Sequence, residues 1–321
     1  RVWESFDTKT IFIKRSWKLQ DQPWWMIRNG ENMILEDIQT KKITGKEIYG
    51  IYQPDICYVN RDGIERTLQV IIPETAQDPD KKYPAILHVQ GSAWKKQDVY
   101  KRVGVMEELA KKGFVTAILQ YRESEIAPFP APVEDAKTGI RFLRKNAEQF
   151  KIDPENIFLM GDSSGGNTAF ITAFTADMDC MDTGVYKEYS CKVNAVIDLY
   201  GVSCVKIKED FPTTPNQGEP DSPEGLEIGS KNVYEHPELS DQITCMNYVK
   251  KELPSPPVLM MHGTADDTVA PNQSIQLYKK LKEEEKDATF YLVEGADHGH
   301  PYFWCEPTLS LIEQFFKKHM K

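Results

Sequence analysis

Gly161-Asp162-Ser163-Ser164-Gly165-Gly166 is the stretch of this 321-residue chain with the clearest capacity for chemistry. It follows the apolar run Ile157–Met160 and precedes the helical stretch Asn167–Ala176. A G-x-S-x-G frame set between a strand and a helix is the context of a nucleophile elbow. Ser163 fits that frame and Ser164 does not. So tight a turn needs small residues two places before and two places after the serine. The bend exposes the serine hydroxyl, and the helix start behind it offers backbone N–H groups to a developing negative charge. The plainer alternative is a glycine-rich turn without chemistry, which the flanking strand and helix argue against.

A serine hydroxyl needs a histidine base, and the base needs an acid to orient it. In hydrolases of this topology the order along the chain is serine, acid, histidine. The chain has six histidines: His88, His236, His262, His298, His300 and His319. Only His298 and His300 directly follow a late apolar run, in Glu294-Gly295-Ala296-Asp297-His298-Gly299-His300. His298, between small and turn-forming residues, is the expected base, with His300 as the alternative. His88 sits in an expected core strand, His319 in a terminal helix and His236 in an irregular segment. The acid belongs one strand earlier, in His262-Gly263-Thr264-Ala265-Asp266-Asp267. Adjacent carboxylates cannot both face the base. Asp266 is preferred, with Asp267 and Asp297 as weaker candidates. The tetrahedral intermediate also requires N–H donors. Ser164 supplies one, and the loop Gln90-Gly91-Ser92-Ala93-Trp94 is expected to supply those of Ser92 and Ala93.

Short apolar runs, bounded by polar or turn residues, mark the elements that must hold these groups. They are Leu68–Ile72, Ala85–Val89, Val115–Leu119, Ile157–Met160, Ala195–Leu199, Val258–Met261 and Thr289–Val293. Such runs suit strands buried on both faces. Amphipathic stretches lie between them, at 133–150 and roughly 101–112, 165–177, 272–285 and 306–319. In the first of these, Val133, Ala136, Ile140, Leu143 and Ala147 recur at helical spacing. The alternation predicts an α/β fold with a mostly parallel sheet covered by helices on both faces. Runs near 50–72 follow one another without a helix, which predicts an antiparallel start. From about 205 to 253 no strand is evident, and Pro212, Pro215, Pro220 and Pro223 recur, so this segment is expected to be an inserted cap. Residues 1–47 read as an N-terminal extension, with Trp3, Trp17, Trp24 and Trp25, and 48–321 as the catalytic domain.

Composition excludes other classes. With 39 basic and 49 acidic residues the net charge is −10, unsuited to a nucleic-acid surface. Mean hydropathy is −0.51 and no apolar run reaches membrane-spanning length. Between Lys206 and Asp241 there are nine acidic and three basic residues, so 3 − 9 = −6 falls in the expected cap and would disfavour anionic substrates. The six cysteines contain no CxxC pair, so no metal is expected. Free thiols fit a cytoplasmic setting. Cys180 and Cys191 are placed so that an exported protein could bridge them, and a start at Arg1 leaves room for a removed signal.

These residues together resemble the α/β-hydrolase superfamily, in particular its hormone-sensitive-lipase-like and bacterial feruloyl-esterase-like branches. The resemblance runs from about Tyr49 to the C-terminus. It rests on Gly161–Gly166, His262-Gly263-x-x-Asp266-x-x-Val269, Gly295-x-x-His298-Gly299, and Tyr121-Arg122 followed by Ala127-Pro128-Phe129-Pro130. It implies an α/β-hydrolase fold and carboxylic ester hydrolysis with Ser163, Asp266 and His298 as triad, without metal or organic cofactor. Relatives usually carry His-Gly-Gly-Gly-Trp where this chain has Gln90-Gly91-Ser92-Ala93-Trp94. Backbone donors survive that change, while the lost glycines narrow the space and bear on tertiary-alcohol esters. Trp94, Tyr121, Phe129, Tyr200 and Trp304 lie near strand ends or the histidine loop. They are expected to line an aromatic pocket or else to be core. A pocket would suit hydroxycinnamoyl (feruloyl-type) esters of plant polysaccharide, the substrate the resemblance suggests. Acetyl esters of xylan or small acyl esters are the alternative. The expected partner is a small-molecule or oligosaccharide ester, with a homodimer left open. An oligopeptidase would need a large extra β domain, and a catalytically dead binding protein usually lacks a triad member.

Overall fold

A computed structural model describes residues 41–321 apart from 62, 76, 77, 79 and 206–215. Two compact units divide at Ile43/Thr44. The second contains every element below. Most of the expected N-terminal extension, with its four tryptophans, lies outside the described residues.

Eight strands make one sheet: β1 (Tyr49–Arg61), β2 (Ile64–Glu74), β3 (Tyr83–Val89), β4 (Val115–Leu119), β5 (Ile152–Asp162), β6 (Val196–Leu199), β7 (Val258–Gly263) and β8 (Ala288–Val293). Their order is β1-β2-β4-β3-β5-β6-β7-β8. β1 pairs antiparallel with β2 and β2 with β4, and all later neighbours are parallel. Each apolar run read as a strand is one.

The parallel strands are apolar at consecutive positions because each feeds two cores. Side chains of a strand alternate between faces. Leu87, Leu159 and Met260 lie in one core, while their neighbours Ile86, Phe158 and Leu259 lie in the other. α2 (Ala131–Lys145), α3 (Ser164–Phe174) and α6 (Asn272–Glu283) cover the first face through Ile140, Phe170 and Leu277. α1 (Val103–Lys111) and α7 (Thr308–Lys318) cover the second through Met106 and Phe316. Phe316 stacks on Phe158 at 4.5 Å between ring centroids. Burying one such side chain contributes roughly 2 kcal/mol. α2 ends five residues before its expected limit, because the Asn146 side chain takes the Phe142 carbonyl at 2.8 Å and closes the helix.

Described residues 216–253 contain only α4 (Pro223–Glu227), α5 (Pro237–Ser240) and a 3-10 turn at Cys245–Tyr248. Ile228, Val233 and Ile243 from this segment join Trp94, Val202 and Val269, which follow β3, β6 and β7, in a third apolar cluster at the carboxyl ends of the strands. Two of the segment's acids, Glu224 and Glu227, are only 1% exposed, so its acidity is not all surface charge. All six thiols are free, and Cys180 is exposed while Cys191 is buried. Among the described residues no helix is long and apolar enough to cross a membrane.

Candidate active site

The carboxyl ends of four strands carry the site. β5 runs directly into Ser163, whose φ of 51° turns the chain sharply into α3. Such a backbone is unfavourable for an L-residue and survives because its surroundings over-determine it. The Ser163 N–H donates to the Leu199 carbonyl at 2.9 Å. A Cβ on Gly161 would lie 2.1 Å from the Gly165 carbonyl oxygen, and one on Gly165 would lie 2.1 Å from that of Val89. The glycine spacing read from the sequence is therefore a packing requirement of the elbow.

β7 delivers Asp266 and β8 delivers His298. Their loops are locked together: the Thr264 N–H donates to Val293 and that of Ala265 to Ala296, both at 3.0 Å. His298 Nδ1 lies 2.7 Å from Asp266 Oδ2, and His298 Nε2 lies 2.9 Å from Ser163 Oγ. The carboxylate accepts, so Nδ1 carries the ring proton and Nε2 is free to take the serine proton. Asp266 Oδ1 accepts the N–H groups of Thr268 (3.0 Å) and Val269 (2.8 Å). Burial would raise the Asp266 carboxyl. Hydrogen bonds from His262, His298 and Val269 outweigh that and hold it well below the usual carboxylate range. Asp267 and Asp297 are exposed and stand outside this relay. His300 instead accepts the Tyr302 N–H at 3.2 Å in the turn that follows. His88 is fully buried against Trp304. Burial pushes it down to about 4, partly offset by Asp162, so it is neutral.

The loop after β3 differs from expectation at one donor. The N–H groups of Ser92 and Trp94 both donate to Ser164 Oγ at 3.1 Å, so the Ser92 N–H is spent within the protein. Ala93 and Trp94 take φ of 55° and 53°, folding the loop around that hydroxyl. The Gly91 N–H donates to Asp162 Oδ1 at 2.9 Å. The N–H groups of Ala93 and Ser164 find no acceptor among the described residues.

The expected aromatic pocket is not what the rings form. Trp94 is 1%, Tyr121 0%, Tyr200 1% and Trp304 7% exposed. Tyr121 lies under the loop, with its hydroxyl 3.0 Å from the Gln90 carbonyl and 2.9 Å from Ser92 Oγ. The Tyr200 ring meets His298 edge-on at 5.0 Å, its hydroxyl donates to Asp162 Oδ2 at 3.3 Å, and Trp304 Nε1 donates to that hydroxyl at 3.1 Å. Trp94 is in the third apolar cluster, and only Phe129 is partly exposed. These rings are the layer behind the site. The sequence reading passed over three contributions: the Ser164 hydroxyl, the Asp162 carboxylate and His262. A polar residue directly beside an elbow serine, or one residue before a strand-ending glycine, was the available signal.

Residues 68–281 match the BD-FAE family model. This chain belongs to the BD-FAE family. The BD-FAE match ends before His298, so the histidine's place rests on geometry. The chain is 25% identical over 224 residues to esterase LipC of Mycobacterium tuberculosis, covering 69% of this chain and 54% of LipC. It spans about half the length of the curated relatives LipC, LipQ of the same organism and an Arabidopsis thaliana probable isoprenylcysteine alpha-carbonyl methylesterase. A weaker likeness, 22% over 193 residues, covers 60% of this chain and 35% of an acetylxylan esterase of Xylanibacter ruminicola. Among solved structures, a truncated carbohydrate esterase from gut microbiota superposes with a TM-score of 0.74 at 26% identity, covering 84% of this chain and 96% of that one. The α/β-hydrolase fold implied by the motifs is the fold of these esterases.

Proposed function

We propose that this chain hydrolyses carboxylic esters through an acyl-enzyme on Ser163. The observation that carries this reading is the unbroken relay Ser163 Oγ–His298 Nε2–Asp266, at 2.9 and 2.7 Å. Ser163 Oγ attacks the ester carbonyl while its proton moves to His298 Nε2. The oxyanion is held by the free N–H groups of Ala93 and Ser164, and Ser92 serves to hold the loop. The C–O bond to the alcohol breaks as Nε2 returns the proton to the leaving oxygen. Water then adds to the acyl carbon by the same route in reverse and frees Ser163. A fluorophosphonate is expected to label Ser163; an unlabelled, folded protein would point to a dead scaffold.

The clamp on the loop gives a prediction. Ser164→Ala leaves the Ser164 N–H in place and strands the N–H groups of Ser92 and Trp94. Turnover of a p-nitrophenyl ester is expected to fall roughly 10-fold or more through kcat. A kcat within about two-fold of wild type would show that the loop holds itself.

For the substrate, we place short acyl esters on carbohydrate, acetyl above all, ahead of hydroxycinnamoyl esters. Two things support this order: four of the five candidate aromatic residues are buried supports, and the likenesses include esterases named for carbohydrate and acetylxylan. Phe129, half-buried beside the cap cluster, is the residue that favours the second reading. A panel of acetylated xylo-oligosaccharide, methyl ferulate and p-nitrophenyl acetate is expected to give kcat/KM at least about 10-fold higher for the acetylated sugar than for ferulate. Faster ferulate turnover would reverse the order. Cleavage of the p-nitrophenyl ester alone would remove carbohydrate from the proposal.

A further inference from the structure

We propose that His262 is a positioning residue for the triad, holding Asp266 through the same carboxylate oxygen that His298 uses. The inference rests on the triad reading above. His262 is the penultimate residue of β7 and is fully buried. Its Nε2 lies 2.8 Å from the Val269 carbonyl oxygen and 3.2 Å from Asp266 Oδ2. A carbonyl oxygen can only accept, so Nε2 carries a proton whatever the charge on the ring, and that N–H is shared between the carbonyl and the carboxylate. On the other side Nδ1 lies 2.7 Å from the Ser274 hydroxyl of α6, which fixes the ring plane. Ser274 is itself fully buried.

Asp266 thus has no idle oxygen. Oδ1 takes two backbone N–H groups, and Oδ2 takes an imidazole N–H from each side. Four donors fix the plane of the carboxylate, so His298 can find its partner in only one orientation. They also divide its negative charge. The share given to His262 is withheld from His298, so Asp266 attracts the His298 ring less strongly than a carboxylate with a single imidazole partner would. The other ionisable groups nearby are Tyr200, against the His298 ring, and Asp198 of β6. Burial pushes the Asp198 carboxyl up to about 7 while His262 pulls it back.

The test compares two amides. The Gln side chain places its N–H near the Nε2 position, and the shorter Asn reaches only the Nδ1 position beside Ser274. Both leave Asp198 and Tyr200 in place, so a difference between them isolates the donor to Asp266. For p-nitrophenyl acetate, His262→Asn is expected to lower kcat roughly 10- to 100-fold with KM little changed. The acid limb of kcat/KM is expected to move to higher pH by roughly half a unit or more. His262→Gln is expected to return the limb to its wild-type position. An unshifted limb in a folded His262→Asn protein would overturn the proposal, and so would equal shifts in both variants, which would mark a merely structural role. Should His262→Asn fail to fold, Ser274→Ala takes its place, since it frees the ring to turn. A smaller shift in the same direction is expected there, and an unshifted limb would overturn the proposal. Failure of the triad reading looks different: Ser163 would then escape fluorophosphonate labelling in the wild-type protein.

Discussion

Replacing Ser163 with Ala is expected to lower kcat/KM on ester substrates by roughly 10⁴-fold or more while the protein stays folded. The hydroxyl is the only part of the residue that the relay uses. The backbone turn at φ 51° is held by the Ser163 N–H to Leu199 and by the glycines on either side, none of which the substitution touches. Ala93 and Ser164 keep their free N–H groups, so substrate still binds and KM changes less than kcat. His298→Ala removes the base and is expected to cost a similar factor. The double variant is expected to be no worse than either single one, because a nucleophile and its base act as a unit. Steady-state kinetics, near-ultraviolet circular dichroism and mass analysis after fluorophosphonate treatment check the three statements. Residual turnover above about one per cent in Ser163→Ala would remove the serine from its role.

What could be read from the sequence was what a rigid spacing rule dictates. The elbow was legible because Gly161 and Gly165 meet backbone at 2.1 Å and no other residue type fits. Strands such as β3 and β5 were legible because burial on both faces leaves an unbroken apolar run. His298 stood out from the other histidines by lying on a loop after the last strand. The aromatic residues misled because a ring near a strand end carries no mark of which side it faces. Tyr121 and Tyr200 were expected to line a pocket or else to be core, and they lie behind the loop after β3 and the His298 ring. The Ser92 N–H was misassigned for a related reason. Nothing in the string Gly91-Ser92-Ala93 shows that a side chain 72 residues away takes that donor. Charge totals fail in the same way, since the sum over 206–241 treats Glu227 as surface charge.

Glu227→Gln is expected to stabilise the protein at pH 8 and to do little near pH 4.5. Glu227 closes α4, and its carboxyl, 1% exposed, accepts the Ser124 hydroxyl at 2.8 Å through Oε2. Burial pushes this carboxyl up to about 8 from its ordinary 4.5, with the Ser124 hydrogen bond only partly opposing. The folded state therefore keeps a proton that the unfolded chain releases, and stability falls as pH rises from 4.5 to 8. Over that interval the loss reaches on the order of 5 kcal/mol. Asp198, pushed by burial from 3.8 to about 7, slopes the same way. His88 slopes oppositely: held neutral with its value near 4 against 6.5, it removes stability as pH falls from 6.5 to 4. Gln keeps an acceptor for Ser124 and cannot ionise, so the Glu227 slope vanishes and that of Asp198 remains. Melting temperatures measured from pH 4.5 to 8.5 are expected to diverge from wild type on the alkaline side by roughly 10 °C. An equal difference at both ends would show that shape, and not ionisation, separates the variants. The effect reaches the loop after β3, because the Ser124 N–H donates to the Trp94 carbonyl at 2.8 Å and the Ser124 Oγ lies 3.1 Å from that carbonyl, so its one proton goes either there or to Glu227. A charged Glu227 at high pH would draw on the same serine that pins the loop after β3. Reversible alkaline loss of kcat is therefore expected in wild type and should be weaker in Glu227→Gln.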